Sequence, residues 1–250
     1  MKVEVFFTPG ELAGQELPER VVVIDVLRAT STMVEALANG ARSILPVATV
    51  DEAARIAQNI GRDTVLLCGE RKALPIDGFD LGNSPAEFTA ERVRGKSLVM
   101  TTTNGTRAFL AVAERRGGDG ERRSKVLASS FLNLGAVVAE LATAGAGGAN
   151  GVTLVCAGRE GRFALEDAVC AGAVVRGLEE SGPALELNDG AIAARGLARR
   201  HMADLHRMLE LTTAGRHLGD AGLGDNLSFC AQVGRSDVVP RFRERKLTLE

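Results

Sequence analysis

Five polar clusters, each at the end of a short apolar run, contain residue types that can bind an anion. They combine carboxylates, which can hold a hard cation, with arginines and hydroxyl groups. Apolar runs of this length predict strands buried on both faces of a parallel sheet, and ligands bind beyond the carboxyl ends of such strands. We therefore expect the clusters to converge on one polyvalent site. The runs occupy residues 21–25, 64–68, 97–101, 125–129 and 152–156.

The first cluster contains Asp25 and, three residues later, Arg28. At a strand end, Asp25 could hold Mg²⁺ or act as a base or a nucleophile, while Arg28 and the Ser31 hydroxyl suit phosphate. A helix N-cap with a salt bridge is the alternative. Leu27 stands where the haloacid-dehalogenase pattern needs a second aspartate, so that pattern does not predict an aspartyl-phosphate here.

The third cluster, residues 101–106, is dense in side-chain donors and opens a predicted helix. Thr102, Thr103, Asn104 and Thr106 could cradle a phosphate or a sulfonate together with backbone amides. A helix-capping turn is the alternative, although a cap needs fewer hydroxyl groups than this run supplies. The run therefore predicts an anion-binding loop.

The fifth cluster has the spacing of the cysteine-dependent phosphatases, because Cys156 and Arg162 flank five residues between a strand and a helix. In such a loop a thiolate attacks phosphorus. Glu160 inside the loop would repel a dianion unless a metal intervenes. Arg159, Glu160 and Arg162 therefore favour a loop that holds phosphate or a metal, and a cysteine nucleophile is the alternative.

The second and fourth clusters and one loop supply the remaining candidates. Glu70 follows Cys68 and Gly69 at the end of the second run, with Arg71 beside it. Asp80 and Asn83 lie on a long loop that could reach the site, and long ordered loops in compact domains are often functional. Ser130 and Asn133 follow the fourth run.

Other titratable residues have simpler explanations. Glu166 and Asp167 fall in the first turn of a predicted helix, where the helix dipole alone could explain the pair. His201, His206 and His217 lack metal-ligand spacing and lie in a polar helical region, which predicts surface residues and disfavours a zinc centre.

Composition excludes several functional classes. A net charge of −2 argues against a broad nucleic-acid surface, and no apolar stretch is long enough to cross a membrane. The first residues do not resemble a signal peptide, and four widely spaced cysteines predict reduced thiols. We therefore expect a cytoplasmic protein that binds neither nucleic acid nor membranes, and a homodimer is the commonest assembly.

Strands and helices alternate along the chain, which predicts a three-layer α/β/α fold with a largely parallel or mixed sheet. We expect a single domain over residues 1–250, with a possible internal duplication whose boundary lies near 116–125. The tail, 222–239, is expected to be loop-like with short strand potential. A further strand is predicted at 43–47, and helices at 31–39, from 51 onward, 86–91, 106–115, 134–142, 164–179 and 189–211, the last as one or two helices.

Five motifs in order resemble the 2-phosphosulfolactate phosphatase family; they occupy residues 23–32, 68–71, 78–85, 101–107 and 156–167. The resemblance implies a Mg²⁺-dependent phosphatase of coenzyme M biosynthesis, with the family's own three-layer α/β fold. Its substrate would carry the phosphate on a carbon bearing a carboxylate, next to a sulfonate. The resemblance assigns no nucleophile, so water, Asp25 and Cys156 all stay open.

These considerations define the expected site for a small anionic phosphorylated substrate. A non-catalytic binder of phosphorylated metabolites, using the same arginines and threonines, is the alternative from another functional class. We assign catalytic roles to Asp25, Arg28, Glu70 and Arg162; Mg²⁺ binding to Asp25, Glu70, Asp80 and Glu160; and substrate binding to Ser31, Arg71, Asn83, Thr102, Thr103, Asn104, Thr106, Ser130, Asn133 and Cys156.

Overall fold

The computed structural model describes residues 1–60, 64–115, 125–146, 151–182 and 184–249. Their strands belong to one mixed sheet, with parallel pairing predominant. The strands are β1 Lys2–Phe6, β2 Arg20–Ile24, β3 Ser43–Pro46, β4 Val65–Arg71, β5 Leu74–Pro75, β6 Ser97–Thr101, β7 Lys125–Ser129, β8 Gly151–Cys156, β9 Glu186–Leu187, β10 Arg241–Arg243 and β11 Lys246–Thr248.

Helices connect most of these strands, as the alternating sequence pattern predicts. Short 3-10 turns add to them at Pro9–Leu12, Pro85–Glu87, Phe131–Asn133 and Met202–Asp204. The α-helices are α1 Ala29–Ala38, α2 Val50–Ile60, α3 Ala90–Val93, α4 Gly105–Glu114, α5 Leu134–Ala146, α6 Leu165–Glu180, α7 Asp189–His201, α8 Leu205–Leu211, α9 Thr213–Asp220 and α10 Asp225–Cys230.

The sheet consists of two parallel groups joined by an antiparallel hairpin. Its strand order is β5-β4-β6-β3-β11-β10-β7-β2-β8-β1-β9. The hairpin β10–β11 pairs antiparallel with β7 on one side and with β3 on the other. The β4, β6 and β3 group therefore runs opposite to the β7, β2, β8 and β1 group along the ladder. Polar residues after strands of both groups nevertheless line one pocket.

Strand β2 shows how the sheet is buried on both faces. All five of its residues are buried. Val22 and Ile24 belong to a core that includes Val169 of α6, whereas Val21 and Val23 belong to a second core that includes Phe109 of α4. Because successive side chains of a strand point to opposite faces, these two cores lie on the two sides of the sheet. The three-layer α/β/α prediction is confirmed.

All five predicted strand runs form strands, and the segment at 189–211 forms the two helices α7 and α8. The predicted helix at 86–91 is wrong, because Phe88 and Thr89 adopt non-helical backbone angles that separate a 3-10 turn from the short α3. The tail contains helix α10, which the loop prediction missed, and the sequence also gave no indication of β1 or the terminal hairpin.

Two further expectations concern the duplication boundary and membrane-spanning helices. Most of the duplication boundary near 116–125 falls on residues 116–124, which lie outside them. None of the helices in the described part of the chain has the length and apolar character that crossing a membrane requires.

Candidate active site

A pocket that is open to solvent lies where strands β2, β4, β6 and β8 end. Helix α9, from the C-terminal part of the chain, forms another wall. The lining residues are Asp25, Leu27, Arg28, Glu70, Lys72, Ala73, Asn83, Thr102, Thr103, Asn104, Arg159, Glu160, Ala214, His217 and Leu218.

Asp25, directly after β2, is held rigidly at the base of helix α1. Its Oδ1 accepts the backbone N–H of Ala29 at 3.2 Å, and its backbone N–H donates to the Thr30 hydroxyl at 3.0 Å. Burial raises the pKa of Asp25 to about 7, and the charges of Glu70 and Glu166 add to this, while the Ala29 N–H and Arg28 oppose it. Burial, more than the neighbouring charges, therefore favours the protonated form of Asp25.

Gly105, the first residue of α4, allows the loop after β6 to approach Asp25. A Cβ atom at this position would lie 2.6 Å from Oδ2 of Asp25 and 2.4 Å from Cβ of Ala29. Both distances are shorter than van der Waals contact allows, so a side chain here would displace the carboxylate. The glycine of the Asn-Gly pair at 104–105 thus allows the first and third polar clusters to pack closely against each other.

Arg28 is the buried cation of the pocket, with 4% of its surface exposed. Its guanidinium donates to the backbone oxygen of Ala73 at 2.7 Å and to the hydroxyl of Ser84 at 3.3 Å. Burial lowers the pKa of Arg28, but an arginine keeps its charge throughout the physiological range. A guanidinium has five N–H donors, so these two bonds fix its direction and leave donors for a ligand.

Glu70, in β4, connects three segments around the pocket. Its Oε1 accepts the backbone N–H of Thr103 at 2.8 Å, and its Oε2 accepts the backbone N–H of Ala73 at 2.9 Å. The side chain is buried, yet it lines the pocket. The two bonds fix the plane of the carboxylate and leave further lone pairs on both oxygens.

The loop after β6 contains one structural threonine and one that can face a ligand. The Thr102 hydroxyl accepts the backbone N–H of Thr106 at 3.0 Å, and the Thr106 hydroxyl donates to the Thr102 carbonyl at 3.1 Å. Both residues are buried, and these bonds join the loop to the first turn of α4, where the Thr106 N–H has no partner within the helix. Thr103 is half-buried and lines the pocket.

The loop after β8 makes a tight two-residue turn. Arg159 and Arg162 exchange backbone hydrogen bonds of 2.8 and 2.9 Å, and the two residues between them, Glu160 and Gly161, have φ angles of 51° and 74°. Positive φ at both central positions is typical of a type I′ hairpin turn. The backbone N–H of Glu160 donates to Oδ1 of Asn104 at 2.9 Å, which attaches the turn to the loop after β6.

Asp167, in the first turn of α6, binds the backbone just beyond the ends of strands β2 and β8. Its Oδ1 accepts the Val26 N–H at 2.8 Å, and its Oδ2 accepts the Gly158 N–H at 3.1 Å. Burial and the neighbouring charges of Asp25 and Glu166 raise its pKa well above the ordinary value. These bonds give Asp167 a structural role beyond the helix dipole.

Comparison with known proteins shows which family has this sequence pattern. A family model described as 2-phosphosulpholactate phosphatase matches residues 6–245. The chain belongs to this family. Membership classes the chain with the phosphoric monoester hydrolases.

Three relatives show how far this similarity extends, and each is named a probable 2-phosphosulfolactate phosphatase. The protein of Symbiobacterium thermophilum is 42% identical over 237 residues, covering 94% of this chain and 97% of its own. That of Caldanaerobacter subterraneus is 36% identical over 244 residues, covering 97% of this chain and 96% of its own. That of Clostridium beijerinckii is 31% identical over 251 residues and the full length of both chains.

The structure of this family member brings eight of the residues assigned from sequence into the pocket. They lie at the ends of strands β2, β4, β6 and β8 or, for Asn83, on the long loop, so four of the five predicted clusters meet here. The fourth cluster does not take part, and the four strands do not all run in one direction, as the prediction of a shared edge of a parallel sheet required. These residues are Asp25, Arg28, Glu70, Asn83, Thr102, Thr103, Asn104 and Glu160.

Several other assigned residues have side chains engaged away from the pocket. The Ser31 hydroxyl donates to the Val26 carbonyl, and the Arg71 guanidinium donates to the Glu70 carbonyl and the Thr101 hydroxyl. Thr106 bonds to Thr102 at the first turn of α4, as described above. Ser130 and Asn133 form a capping box at the 3-10 turn after β7, and both are fully buried.

The other three residues lie at the edge of the site or outside it. Oδ2 of Asp80 accepts the Leu67 N–H at 2.7 Å. Arg162 is exposed in a neighbouring groove that it shares with Phe163 and Thr213. Cys156 is fully buried, and burial raises the pKa of its thiol well above the usual value.

The pocket also includes residues that sequence reasoning did not assign. Lys72 lies at the pocket mouth with a φ of 52°, and His217 reaches it from α9. His217 is exposed, as predicted, but its Nδ1 accepts a hydrogen bond from the Arg159 guanidinium. Lys72 belongs to the second polar cluster of the sequence but was assigned no role, whereas no local pattern indicated His217.

Proposed function

We propose that the chain is a Mg²⁺-dependent phosphatase that hydrolyses 2-phosphosulfolactate to sulfolactate and phosphate. The names of the family and of its relatives support this substrate. The observation that carries the proposal is the composition of the pocket. Two buried carboxylates, Asp25 and Glu70, line it together with three cations, Arg28, Lys72 and Arg159.

The charge of the proposed substrate explains why a pocket would need both kinds of group. Phosphate, carboxylate and sulfonate together carry roughly four negative charges near neutral pH. Several separate cationic or donor groups must therefore bind different ends of the molecule. Carboxylates would repel it unless a cation lies between them and the phosphate. A protein that only bound the anion would need these carboxylates for nothing beyond the backbone hydrogen bonds that they accept.

The residues present fit Mg²⁺, although they are few. Among the described residues, no three His, Cys, Asp or Glu side chains are grouped so as to hold a metal ion. Mg²⁺, however, keeps several waters and is commonly bound by one or two carboxylates with substrate phosphate. Asn83 adds an amide oxygen, because it lines the pocket and its buried Oδ1 has no hydrogen-bond partner. We propose Asp25, Glu70 and Asn83 as the residues that would hold the ion.

Bound Mg²⁺ would neutralise phosphate charge and stabilise the oxygen of the leaving group. In the reaction, a water oxygen forms a bond to phosphorus, the bond from phosphorus to the ester oxygen breaks, and a proton passes to that oxygen. Arg28, fixed by Ala73 and Ser84, would bind phosphoryl oxygens and oppose the charge that develops on them. The Thr103 hydroxyl and the Asn104 amide, which also line the pocket, would orient the substrate.

The placement of Cys156 supports water rather than a thiolate as the nucleophile. A nucleophilic cysteine needs access to the substrate and a lowered pKa. Cys156 has neither, because it is fully buried in the core and its pKa is raised.

Phosphate release from a substrate panel tests this proposal. The panel contains 2-phosphosulfolactate, 2-phospholactate, which lacks only the sulfonate, and p-nitrophenyl phosphate. We expect the highest kcat/KM on 2-phosphosulfolactate and loss of activity in excess EDTA, with recovery on adding Mg²⁺. Binding of 2-phosphosulfolactate with no phosphate release at any Mg²⁺ concentration would contradict the proposal and favour a sensor of phosphorylated metabolites.

A further inference from the structure

We propose that Arg159 is a specificity-determining residue that binds the sulfonate of the substrate, and that His217 positions it. The inference rests on the proposed function, because it assigns one group of the proposed substrate to one residue of the same pocket. Arg159 lines the pocket mouth, and His217 belongs to helix α9, which is distant in sequence.

The pocket arranges its cations at different depths. Arg28 is almost completely buried and its guanidinium is fixed beside the carboxylates. Arg159 is partly exposed and lines both the pocket and the groove outside it. A ligand with a single phosphate would need only the inner group. Two arginines at different depths suit a ligand that carries a second anion at its other end.

The loop that carries Arg159 is rigid for its length. The type I′ turn closes on Arg162, the Glu160 N–H is bound by Asn104, and the Gly158 N–H is bound by Asp167. Gly158 has a φ of 64°, and a Cβ there would lie 2.4 Å from the Arg162 carbonyl oxygen. The backbone of Arg159 is thus fixed on both sides, so little ordering of the loop remains to oppose binding.

His217 fixes the side chain of Arg159, and the turn fixes its backbone. Its Nδ1 accepts a hydrogen bond from Nη2 of Arg159 across 58 positions of sequence. One guanidinium edge is therefore occupied, and the other can present two parallel N–H groups to a sulfonate. Lys72, the other cation at the mouth, is an exposed ammonium on a flexible stem and lacks this fork geometry. The arrangement favours Arg159 for a planar or trigonal oxyanion.

Glu160 is the acidic neighbour of this arginine at the mouth. Its side chain is exposed, so water screens its repulsion of a bound anion. Arg159 also lowers the pKa of the buried Glu166 through its charge, although burial is the larger effect and raises that pKa.

The test compares two substrates that differ only in the sulfonate. Steady-state kinetics would be measured on 2-phosphosulfolactate and 2-phospholactate for the unaltered chain, Arg159→Gln, His217→Ala, His217→Gln and, as a charge-matched control, Arg199→Gln. Arg199 is an exposed residue in the last turn of α7 and does not line the pocket.

We expect Arg159→Gln to lower kcat/KM on 2-phosphosulfolactate by about 10- to 100-fold, the loss of one or two charge-assisted hydrogen bonds. On 2-phospholactate the same variant should stay close to the unaltered chain. His217→Ala should give a smaller loss of about 3- to 10-fold, again only on the sulfonated substrate. His217→Gln retains an acceptor and should recover part of it.

An equal loss on both substrates, or no loss on either, would overturn the assignment of Arg159 and leave the proposed function intact. An unaltered chain that releases no phosphate from 2-phosphosulfolactate would overturn the proposed function and this inference with it.

Discussion

Oε1 of Glu70 accepts the backbone N–H of Thr103 at 2.8 Å, which joins strand β4 to the loop after β6. The same carboxylate holds Ala73, whose carbonyl in turn accepts from Arg28. A single acidic side chain thus connects three of the segments that form the pocket. The candidate active site is one hydrogen-bonded unit rather than a set of independent loops, so changes at its centre should alter several of its parts together.

The raised pKa of Asp25 predicts how pH and Mg²⁺ act on stability. A carboxyl with a pKa of about 7 in the folded chain, against 3.8 ordinarily, binds a proton more tightly when folded. Its contribution to the free energy of unfolding is therefore favourable below about pH 4 and is lost as the pH rises through about 7. Mg²⁺ competes with that proton. At about 100 times its Kd it should raise the free energy of unfolding near pH 8 by about 3 kcal/mol.

Urea unfolding near pH 5 and pH 8, with and without Mg²⁺, would measure this effect. The stabilisation should be much smaller at the lower pH, and Asp25→Asn should remove the difference. An equal stabilisation at both pH values would show that the ion binds elsewhere.

Gly105 predicts a loss of activity from a single methyl group. In Gly105→Ala the new Cβ would lie 2.6 Å from Oδ2 of Asp25, so the carboxylate must shift. Displacements near one ångström can lower kcat by about 100-fold. Gly135→Ala is the matched control, because its Cβ would meet nothing within 4 Å on α5 and should add about 0.5–1 kcal/mol of stability. An unchanged kcat in Gly105→Ala would show that the position of Asp25 does not affect the chemical step.

Thr102 and Thr103 are adjacent, but valine should affect them differently. Thr102→Val removes the acceptor for the Thr106 N–H and should cost about 1–2 kcal/mol of stability, seen as a lower Tm. Thr103→Val removes a hydroxyl that faces the pocket, so KM should rise about 3- to 10-fold with little change in kcat or Tm. A lower Tm in Thr103→Val with unchanged KM would reverse these roles.

Cys156 should prove dispensable. Because its thiol is fully buried, Cys156→Ala should retain activity close to that of the unaltered chain and lose about 1 kcal/mol or more of stability from the small cavity. Iodoacetamide should not inactivate the native protein. Inactivation that follows alkylation of Cys156, together with activity that survives EDTA, would instead support a cysteine mechanism.

The sequence allowed the strand ends to be predicted because buried parallel strands have a strong local signal. The runs ending near Asp25, Cys68 and Thr101 are continuous and apolar, and the polar residues after them mostly reach the pocket. The terminal hairpin has no such signal, since Phe242 and Leu247 are its buried residues among charged neighbours. Its antiparallel pairing reverses half of the sheet, which no local pattern could predict.

Side-chain roles were harder to predict than strand positions. Ser130 and Asn133 have the same chemical types as Thr103 and Asn104, yet the first pair caps a buried turn while the second lines the pocket. Anion binding and helix capping use the same donors and acceptors, so composition cannot separate them. His217 was missed for another reason, because its partner Arg159 is 58 residues away.

The central claim is that Asp25 holds the ion required for phosphate release from 2-phosphosulfolactate. The direct measurement is that release by the unaltered chain, Asp25→Asn and the exposed control Asp51→Asn, each with Mg²⁺ and with EDTA, while circular dichroism checks the fold. We predict Mg²⁺-dependent release by the unaltered chain and the control, and a loss of more than about 100-fold in Asp25→Asn. Release by folded Asp25→Asn at the unaltered rate, or release that EDTA does not diminish, would contradict the account.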